Sequence, residues 1–558
     1  MSFSIEFLST RSGKALLLKQ ETKHYLFGYY EGFQRHSIER NIKLPKITNV
    51  YLFEDHQIIP LLGFCLTVAD MGREALWVYG SENVKKIFQN ACSFARRSKL
   101  KMTFSNNNPE VVPLEMAAGM NYVVRLPKIK GRLDISKLDR HFPAKLRKDL
   151  KERKKVLYNG VEYDGNNYME EDTEIGDICV LHTTGNLGEC LTQLKQFDIK
   201  LFICMNRECL ALKEHYPDSR FVLFEENNEI EYKSFYELQK RLNKIDANFL
   251  LPKKNITKID ATSAEDIENA NKSEISGLTD THNIKFTKKQ LIMFHEDEKC
   301  TEQIIFLGTG SAIPSKYRNV SSIIYEEENC AYLLDCGEDT LSQIDRVYGD
   351  LRVLEKLRLI FISHSHADHH LGLYFILKSI RHKVVVLCPQ KVKDFLSLFD
   401  LDVTFFVTDK NRKAEITYLS FNLNEKIIKV SLCPVDHIGD SYGIKLQTAH
   451  AISYSGDCRP SFMFAEMSKK SDVMIHEATF TNDYRDNALK TKHSTINDAA
   501  DIFNKSGAHI LILTHFSQRF PKNVPSDLQV FYAFDFFRYN FKNKYNERVR
   551  EYLRSIDE

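Results

Sequence analysis

Three short segments recur, in the same order, in the two halves of this 558-residue chain. Ile5-Glu-Phe-Leu-Ser-Thr-Arg-Ser12 parallels Ile304-Ile-Phe-Leu-Gly-Thr-Gly-Ser311, Tyr25-Leu-Phe-Gly28 parallels Tyr332-Leu-Leu-Asp335, and Ile58-Ile-Pro-Leu-Leu-Gly-Phe64 parallels Ala367-Asp-His-His-Leu-Gly-Leu373. Order and apolar character match in every pair, so the chain reads as a tandem duplication of one fold. A single core does not grow to this length, which independently predicts two domains of roughly 250 residues. The expected bounds are 1–260 and 300–558. The polar, mixed-charge stretch 261–299, with little apolar periodicity, is expected to be a linker.

The copies are unequal. In ungapped register around Gly63 and Gly372, His364, His366, Asp368 and His369 face Asp55, Gln57, Ile59 and Pro60. A copy with Ile and Pro in place of Asp and His cannot bind metal there, so the N-terminal copy is expected to be catalytically dead.

Composition matters for what it excludes. The net charge is only +2, so a nucleic-acid partner must be held by local basic surface rather than by the field of the whole protein. Twelve cysteines without any Cys-x-x-Cys point to a reducing compartment and buried thiols. Residues Met1 to Leu18 read as a strand rather than a secretory signal. No apolar run approaches the roughly 18 to 20 residues of a membrane helix. Without an Arg-rich leader, a nuclear or cytoplasmic location is expected.

Five segments of the C-terminal half share one pattern, an apolar strand-like run that ends in coordinating residues. Leu357–Ile362 runs into Ser363-His-Ser-His-Ala-Asp-His-His370. Ile427–Leu432 leads to His437, Ile452–Gly456 to Asp457, Asp472–Ile475 to His476 and Glu477, and Ile510–Leu513 to His515. Ligands on loops at strand ends can converge along one sheet edge while the strands stay rigid. Imidazole and carboxylate suit zinc at about 2.0–2.2 Å. Alternate residues of an extended segment face the same way, so His364 and His366 grip one ion while Asp368 and His369 grip its neighbour. Asp457 bridges the two, His437 completes the first site and His515 the second. A lone histidine is ordinarily a hydrogen-bonded core or surface residue. That reading does not account for His-x-His-x-Asp-His-His with an ordered Asp and two further His at strand ends.

The C-terminal half thereby resembles the metallo-β-lactamase superfamily and, within it, tRNase Z (ribonuclease Z); the duplication is similar to that family's long form. The resemblance covers residues 300 to 537 strongly and 1 to 260 weakly. It rests on the Pro-x-Lys-x-Arg-Asn loop at Pro314–Asn319, the zinc motif Ser363–His370, His437–Gly443, Ser453-Tyr-Ser-Gly-Asp457, His476-Glu-Ala-Thr479, His493-Ser-Thr495 and Leu513-Thr-His-Phe-Ser-Gln-Arg519. It implies an α/β fold, an αββα sandwich in two tandem copies. It also implies two zinc ions per chain and cleavage of precursor tRNA just after the discriminator base, leaving a tRNA 3′-hydroxyl and a trailer 5′-phosphate.

Roles follow for single residues. Asp368 is placed to hold the nucleophilic water as well as a metal, and to accept its proton. By resemblance to the family, His493 is the general acid for the leaving 3′-oxygen and Glu477 orients it. A helix is expected after His493, capped by Ser494 or Thr495 and stopped by Gly507. Its free N–H groups suit a phosphate, although Ser494 and Thr495 as mere caps is an equal reading. Lys316, Arg318 and Asn319 are candidates for the tRNA 3′ end, against a purely turn-forming loop. Residues 122–163 carry Lys145, Arg147, Lys148 and Lys151 around Leu146 and Leu150, a short amphipathic helix. Ordinarily that is a solvated face; here it resembles the family's protruding arm, which clasps the tRNA elbow. The family's Gly-Pro-type turn after this helix is missing, and the chain has His141-Phe-Pro-Ala-Lys145. A dead copy that presents the arm and a live copy that cuts imply a monomer with no membrane contact and no obligate protein partner. The competing readings are another nuclease of the same superfamily acting on mRNA 3′ ends or damaged DNA, a thioesterase of the glyoxalase type, and a non-catalytic RNA-binding scaffold.

Overall fold

The structure, a computed structural model, describes residues 4–10, 13–19, 24–95, 100–104, 108–125, 132–139, 142–171, 176–224, 302–409, 414–423, 426–518 and 530–541. The expected linker 261–299 and most of the C-terminal tail lie outside the described residues. The first sheet is β1 Ser4–Thr10, β2 Gly13–Lys19, β3 His24–Phe27, β4 Ile47–Tyr51, β5 Ala75–Tyr79 and β6 Lys101–Phe104, in that order. Its partner holds β7 Val111–Met116 and β8 Gly119–Arg125. After a two-stranded excursion, β9 Lys155–Tyr158 and β10 Val161–Asp164, it continues with β11 Asp177–Leu181, β12 Ile199–Cys204 and β13 Arg220–Leu223. The stretch read as one strand, Met1 to Leu18, is thus two antiparallel strands.

The C-terminal half repeats the plan. β14 Gln303–Gly308, β15 Ser322–Glu326, β16 Ala331–Cys336, β17 Leu357–Phe361, β18 Val385–Cys388 and β19 Thr404–Val407 form one sheet in sequence order. Both first sheets start with two antiparallel pairings and continue with three parallel ones. The second C-terminal sheet is β20 Thr417–Leu423, β21 Lys426–Pro434, β22 Tyr442–Gln447, β23 Ala451–Tyr454, β24 Val473–Glu477, β25 Ile510–Thr514 and β26 Phe531–Tyr532. β27 Arg538–Asn540 closes the first sheet beside β14.

Alternation along the strands makes the layers. In β14, Ile305 and Leu307 face a helix-lined core, while Ile304 and Phe306 face the space between the two C-terminal sheets. Strands covered on both faces must be apolar throughout, as these are. In the N-terminal half Ala15 and Leu17 of β2 enter that same helix-lined core, and Leu16 and Leu18 enter the inter-sheet core. One continuous core thus joins the helices of both copies, among them α1 Phe33–Glu39, α2 Ile58–Asp70 and α3 Glu82–Ala95. The two sandwiches meet helix to helix.

Their junction is self-complementary, like a two-fold dimer interface within one chain. Ladder register equates Tyr25 with Tyr332, and hence Glu31 with Glu338 and Gly32 with Asp339. Glu31 Oε1 accepts from Asp339 N at 2.8 Å, and Glu338 Oε1 accepts from Gly32 N at 3.2 Å. A Cβ on Gly63 would meet Glu338 Oε2 at 2.7 Å, and one on Gly372 would meet Glu31 Oε1 at 3.0 Å. Burial pushes both carboxyls up, Glu338 to about 8 and Glu31 well above its usual range. The folded state therefore keeps a proton on Glu338 that the unfolded chain releases near 4.5, so the Glu338 contribution to stability is lost as pH rises from about 4.5 to about 8. In thermal unfolding between pH 5 and 8, Glu338→Gln is expected to remove up to about 1.4 kcal/mol per pH unit from that slope. Identical slopes in both proteins would refute it.

The same ladders correct the register around the zinc motif. Tyr25 pairs with Asn49 and Tyr332 with Leu359, which sets His364 and His366 opposite Glu54 and His56, not Asp55 and Gln57. The N-terminal copy has one extra residue between strand and glycine. Asp368 and His369, near the glycine, still face apolar residues. Glu54 pairs with His182 at 2.8 Å and His56 at 3.1 Å. Among the described residues, every cluster of three or more potential metal ligands lies in the C-terminal half.

The arm folds around its own small core. Leu133, Leu138, Phe142, Leu150 and Val156 are buried, with Tyr158, Tyr163 and Met169 packed on them. The bounds 122–163 need correction at both ends. Tyr122 is buried in β8, its hydroxyl donating to Leu52 O, whereas the arm's core runs on to Met169. Phe142, in the segment that departs from the family's turn, anchors this core against Tyr163 at 4.8 Å. α4 Ala144–Lys151 buries Leu150 and exposes Lys145, Lys148 and Lys151 on one face, while Arg147 is half-buried with Nε donating to Phe142 O. No ion pair engages those three lysines among the described residues, whereas Lys154 and Lys155 pair with Glu152 and Glu162.

Candidate metal centre

β17, β23 and β25 are almost wholly buried, and β21 alternates buried and exposed residues before its buried end at Leu432 and Cys433. Polar residues begin where the strands leave the sandwich, and those ends lie along one edge. His364, His366, His437 and Asp457 present donor atoms within 4.8 Å of one another, as do Asp368, His369 and His515. His364 Nε2 lies 2.9 Å from His366 Nδ1, which lies 3.1 Å from His437 Nε2. Asp457 joins the groups. Its Oδ2 is 3.7 Å from His364 Nε2, 3.8 Å from His437 Nε2 and 3.2 Å from His369 Nε2, and its Oδ1 is 3.3 Å from His515 Nδ1. Asp368 Oδ2 lies 3.6 Å from both His369 Nε2 and His515 Nε2, and accepts from Ala312 N at 2.7 Å. All seven expected ligands thus meet.

These residues fit divalent cations. Tetrahedral bonds of about 2.0–2.2 Å place donor atoms roughly 3.3–3.6 Å apart, close to the spacing here. His369 Nε2, His515 Nε2 and Asp457 Oδ1 are buried without a hydrogen-bond partner, a cost that a cation removes. Burial holds His364 well below its usual range, His366 at about 4 and His437 below normal, so these imidazoles are the neutral donors a metal needs. Against burial, His369 and His515 hold Asp457 and Asp368 ionised.

A surrounding shell orients the ligands. His369 Nδ1 meets Asp335 Oδ2 at 2.7 Å, and Asp335 also accepts from Ser363 N, Ser363 Oγ and the Tyr454 hydroxyl. His437 Nδ1 meets Lys492 O, and His515 Nδ1 meets Thr479 Oγ1 at 2.9 Å. Sequence reasoning missed Asp335, Tyr454 and Thr479 as site residues. A carboxylate ending the apolar run Tyr332-Leu-Leu was the available signal. Asp335 adopts φ 57°, as Gly28 does at 77° in the other copy.

His493 lies at the rim of the cluster, with Nδ1 2.8 Å from Glu477 Oε1. Burial opposes its charge, but Glu477's charge and hydrogen bond, helped by Asp457, lift His493 to about 9. Glu477 is fully buried and also accepts from Cys458 N and Thr479 N. The pair therefore has a proton to give and a group that fixes its direction. His476 and His370, the other motif histidines, bond backbone carbonyls and stay out of the cluster.

Several expected RNA contacts turn inward instead. Asn319 is buried, its amide donating to Glu338 O. The Arg318 guanidinium sits between the rings of Phe516 and Phe534, 4.5 and 3.9 Å from their centroids, and donates to Thr309 Oγ1 and Ala533 O. Both hold the loop, along with Asp535, which accepts from Asn319 N and Thr309 N. Ser494 is buried with its hydroxyl donating to Cys458 O. Thr495 caps the helix Ile496–Ser506 in a capping box with Asp498, and Gly507 ends it at φ 63°. Asn319, Ser494 and Thr495 are buried scaffold; Lys316 and Arg318 are both half-exposed, Arg318 being tied down by these contacts.

Residues 331–516 match the family described as "Beta-lactamase superfamily domain", and residues 8–63 match "tRNase Z endonuclease". The chain is 38% identical over 250 residues to "Ribonuclease Z, mitochondrial" of Drosophila melanogaster, covering 40% of this chain and 33% of that protein. It is 34% identical over 250 residues to "Zinc phosphodiesterase ELAC protein 2" of Homo sapiens, covering 39% and 30%. The chain thus covers about a third of the curated relatives it matches. The crystal structure of a long form RNase Z from yeast superposes with TM-score 0.73 at 19% identity, covering 99% of this chain and 98% of that one, which shows a shared fold.

Proposed function

We propose that this chain, which carries the ribonuclease Z signature in one half and the β-lactamase-superfamily domain in the other, is an endoribonuclease that removes the 3′ trailer of precursor tRNA. One observation carries the reading: seven metal donors from four strand ends meet beside a histidine hydrogen-bonded to a buried glutamate. When bound, two zinc ions held by those donors supply Lewis acidity to the phosphate and the attacking water. Asp368 holds that water in place and accepts its proton. His493, oriented by Glu477, delivers a proton to the leaving 3′-oxygen.

The N-terminal copy supplies the RNA grip, and one chain does the work of a dimer. Its exposed Lys145, Lys148 and Lys151 suit phosphates of the tRNA body. Replacing all three by alanine should lower the log–log salt slope of precursor binding by about 2 to 3 and leave hydrolysis of a small phosphodiester unchanged. An unaltered slope would remove the arm from the interface. Among the described residues no helix is long and apolar enough to cross a membrane. We place the chain in the nucleus or cytoplasm, and fluorescence of a tagged full-length chain tests this against the mitochondrial site named for the fly relative. The function itself is tested with a 3′-extended tRNA. A single cut after the discriminator base with a 3′-hydroxyl and a 5′-phosphate is the expected result, and an intact precursor the contrary one.

A further inference from the structure

The pocket over the metal cluster, about 160 Å³, is not made by the catalytic copy alone. Gln34, Gly63, Leu66, Thr67 and Asp70 of the N-terminal copy form one of its walls, facing the cluster and His493. This wall is held firmly. Thr67 Oγ1 donates to Gln34 Oε1 at 2.6 Å, and Gln34 Nε2 donates across the junction to Glu338 Oε2 at 2.7 Å. At Gly63 the helix α2 touches the catalytic copy without room for a methyl group, since Glu338 Oε2 and Leu371 Cδ1 would lie 2.7 and 3.4 Å from its Cβ.

The chemistry of the wall is opposite to that of a phosphate grip. None of its five residues is cationic. α2 ends at Asp70, so the partial negative charge of its last carbonyls adds to the carboxylate. Across the pocket, His493 and the cations that the donors would hold favour an anion. A strand entering between the two surfaces lowers its energy by turning phosphate to the cluster and a nucleoside edge to α2. There Leu66 offers apolar surface to a base or ribose, and Asp70 accepts from N–H or O–H donors.

Building on the precursor-RNA reading above, we propose that α2 of the inactive copy is a specificity wall of the active pocket, in which Leu66 and Asp70 seat the nucleoside beside the scissile phosphate and so set the position of the cut. Phosphate misplaced by one nucleotide would face Asp70 and be repelled, a discrimination by repulsion as much as by attraction.

The test uses the full chain and a 5′-labelled 3′-extended tRNA. Asp70 is exposed, so its replacement is compatible with folding, which thermal unfolding verifies. Asp70→Lys is expected to raise KM for the RNA, or the fraction of displaced cuts, by about fivefold or more. Asp70→Asn and Leu66→Ala should shift the same readouts less. Unchanged cut positions and KM in all three variants overturn the wall while the wild type still cuts correctly. A wild type that leaves the precursor whole overturns the underlying reading, and the wall with it.

Discussion

Asp457→Ala is expected to lower cleavage of a 3′-extended tRNA by about a thousandfold or more, and to lower bound metal as well. Asp457 is the residue whose carboxylate reaches both donor groups, with contacts of 3.2 to 3.8 Å to four histidines. Losing it removes a shared ligand and leaves adjacent buried imidazoles without a counter-charge. The Lewis-acid contribution of such a site is several kcal/mol, and about 4 kcal/mol corresponds to a thousandfold in rate. Metal per chain by plasma mass spectrometry should fall in parallel. A variant that keeps its full metal and activity would show that the two groups do not share this carboxylate.

The second large effect belongs to His493. His493→Ala should reduce turnover by at least about a hundredfold while leaving metal content and precursor affinity near wild type. The separation is the informative part, because His493 stands close enough to Asp457 and His515 to be a donor itself, and only its 2.8 Å contact with Glu477 sets it apart. A group lifted to about 9 is protonated at neutral pH, so an acid role predicts activity that falls as pH rises toward that value. Bound cations oppose the lift and move the limb to lower pH. Glu477→Gln keeps the shape but removes the charge that raises His493, so the limb should shift further toward acid. A metal-depleted His493→Ala protein, or a Glu477→Gln profile identical to wild type, would place both residues in the scaffold.

Much of this site was legible in the chain because metal donors are scarce types in a local pattern. His364, His366, Asp368 and His369 sit within six residues at the end of one apolar strand. His437, Asp457 and His515 each follow another, and rigid strands leave such ends few places to go. The helix after His493 announced itself through Thr495, Asp498 and Gly507, all of which act within one turn of the backbone they cap. The same locality misled for Asn319, Ser494 and Thr495, which are buried, and in part for Arg318, which is held between two rings. Their types suit RNA equally well, and only their neighbours Phe516, Phe534, Cys458 and Glu338 reveal that they face inward. Asp335 was passed over for the converse reason: nothing beside it in sequence says that it will meet His369 and Tyr454, 34 and 119 positions away.

From composition and order alone came the duplication, the unequal copies and the donor set, since each depends on residue types at short spacing. The folded chain was needed to learn how the two copies join. Glu31 against Asp339, Gln34 against Glu338 and Gly63 against Leu371 join residues some 300 positions apart, and carboxylates, amides and glycines are too common to betray such partners. Their meeting depends on two helix layers sharing one apolar core, a long-range outcome of packing that no short window of sequence contains.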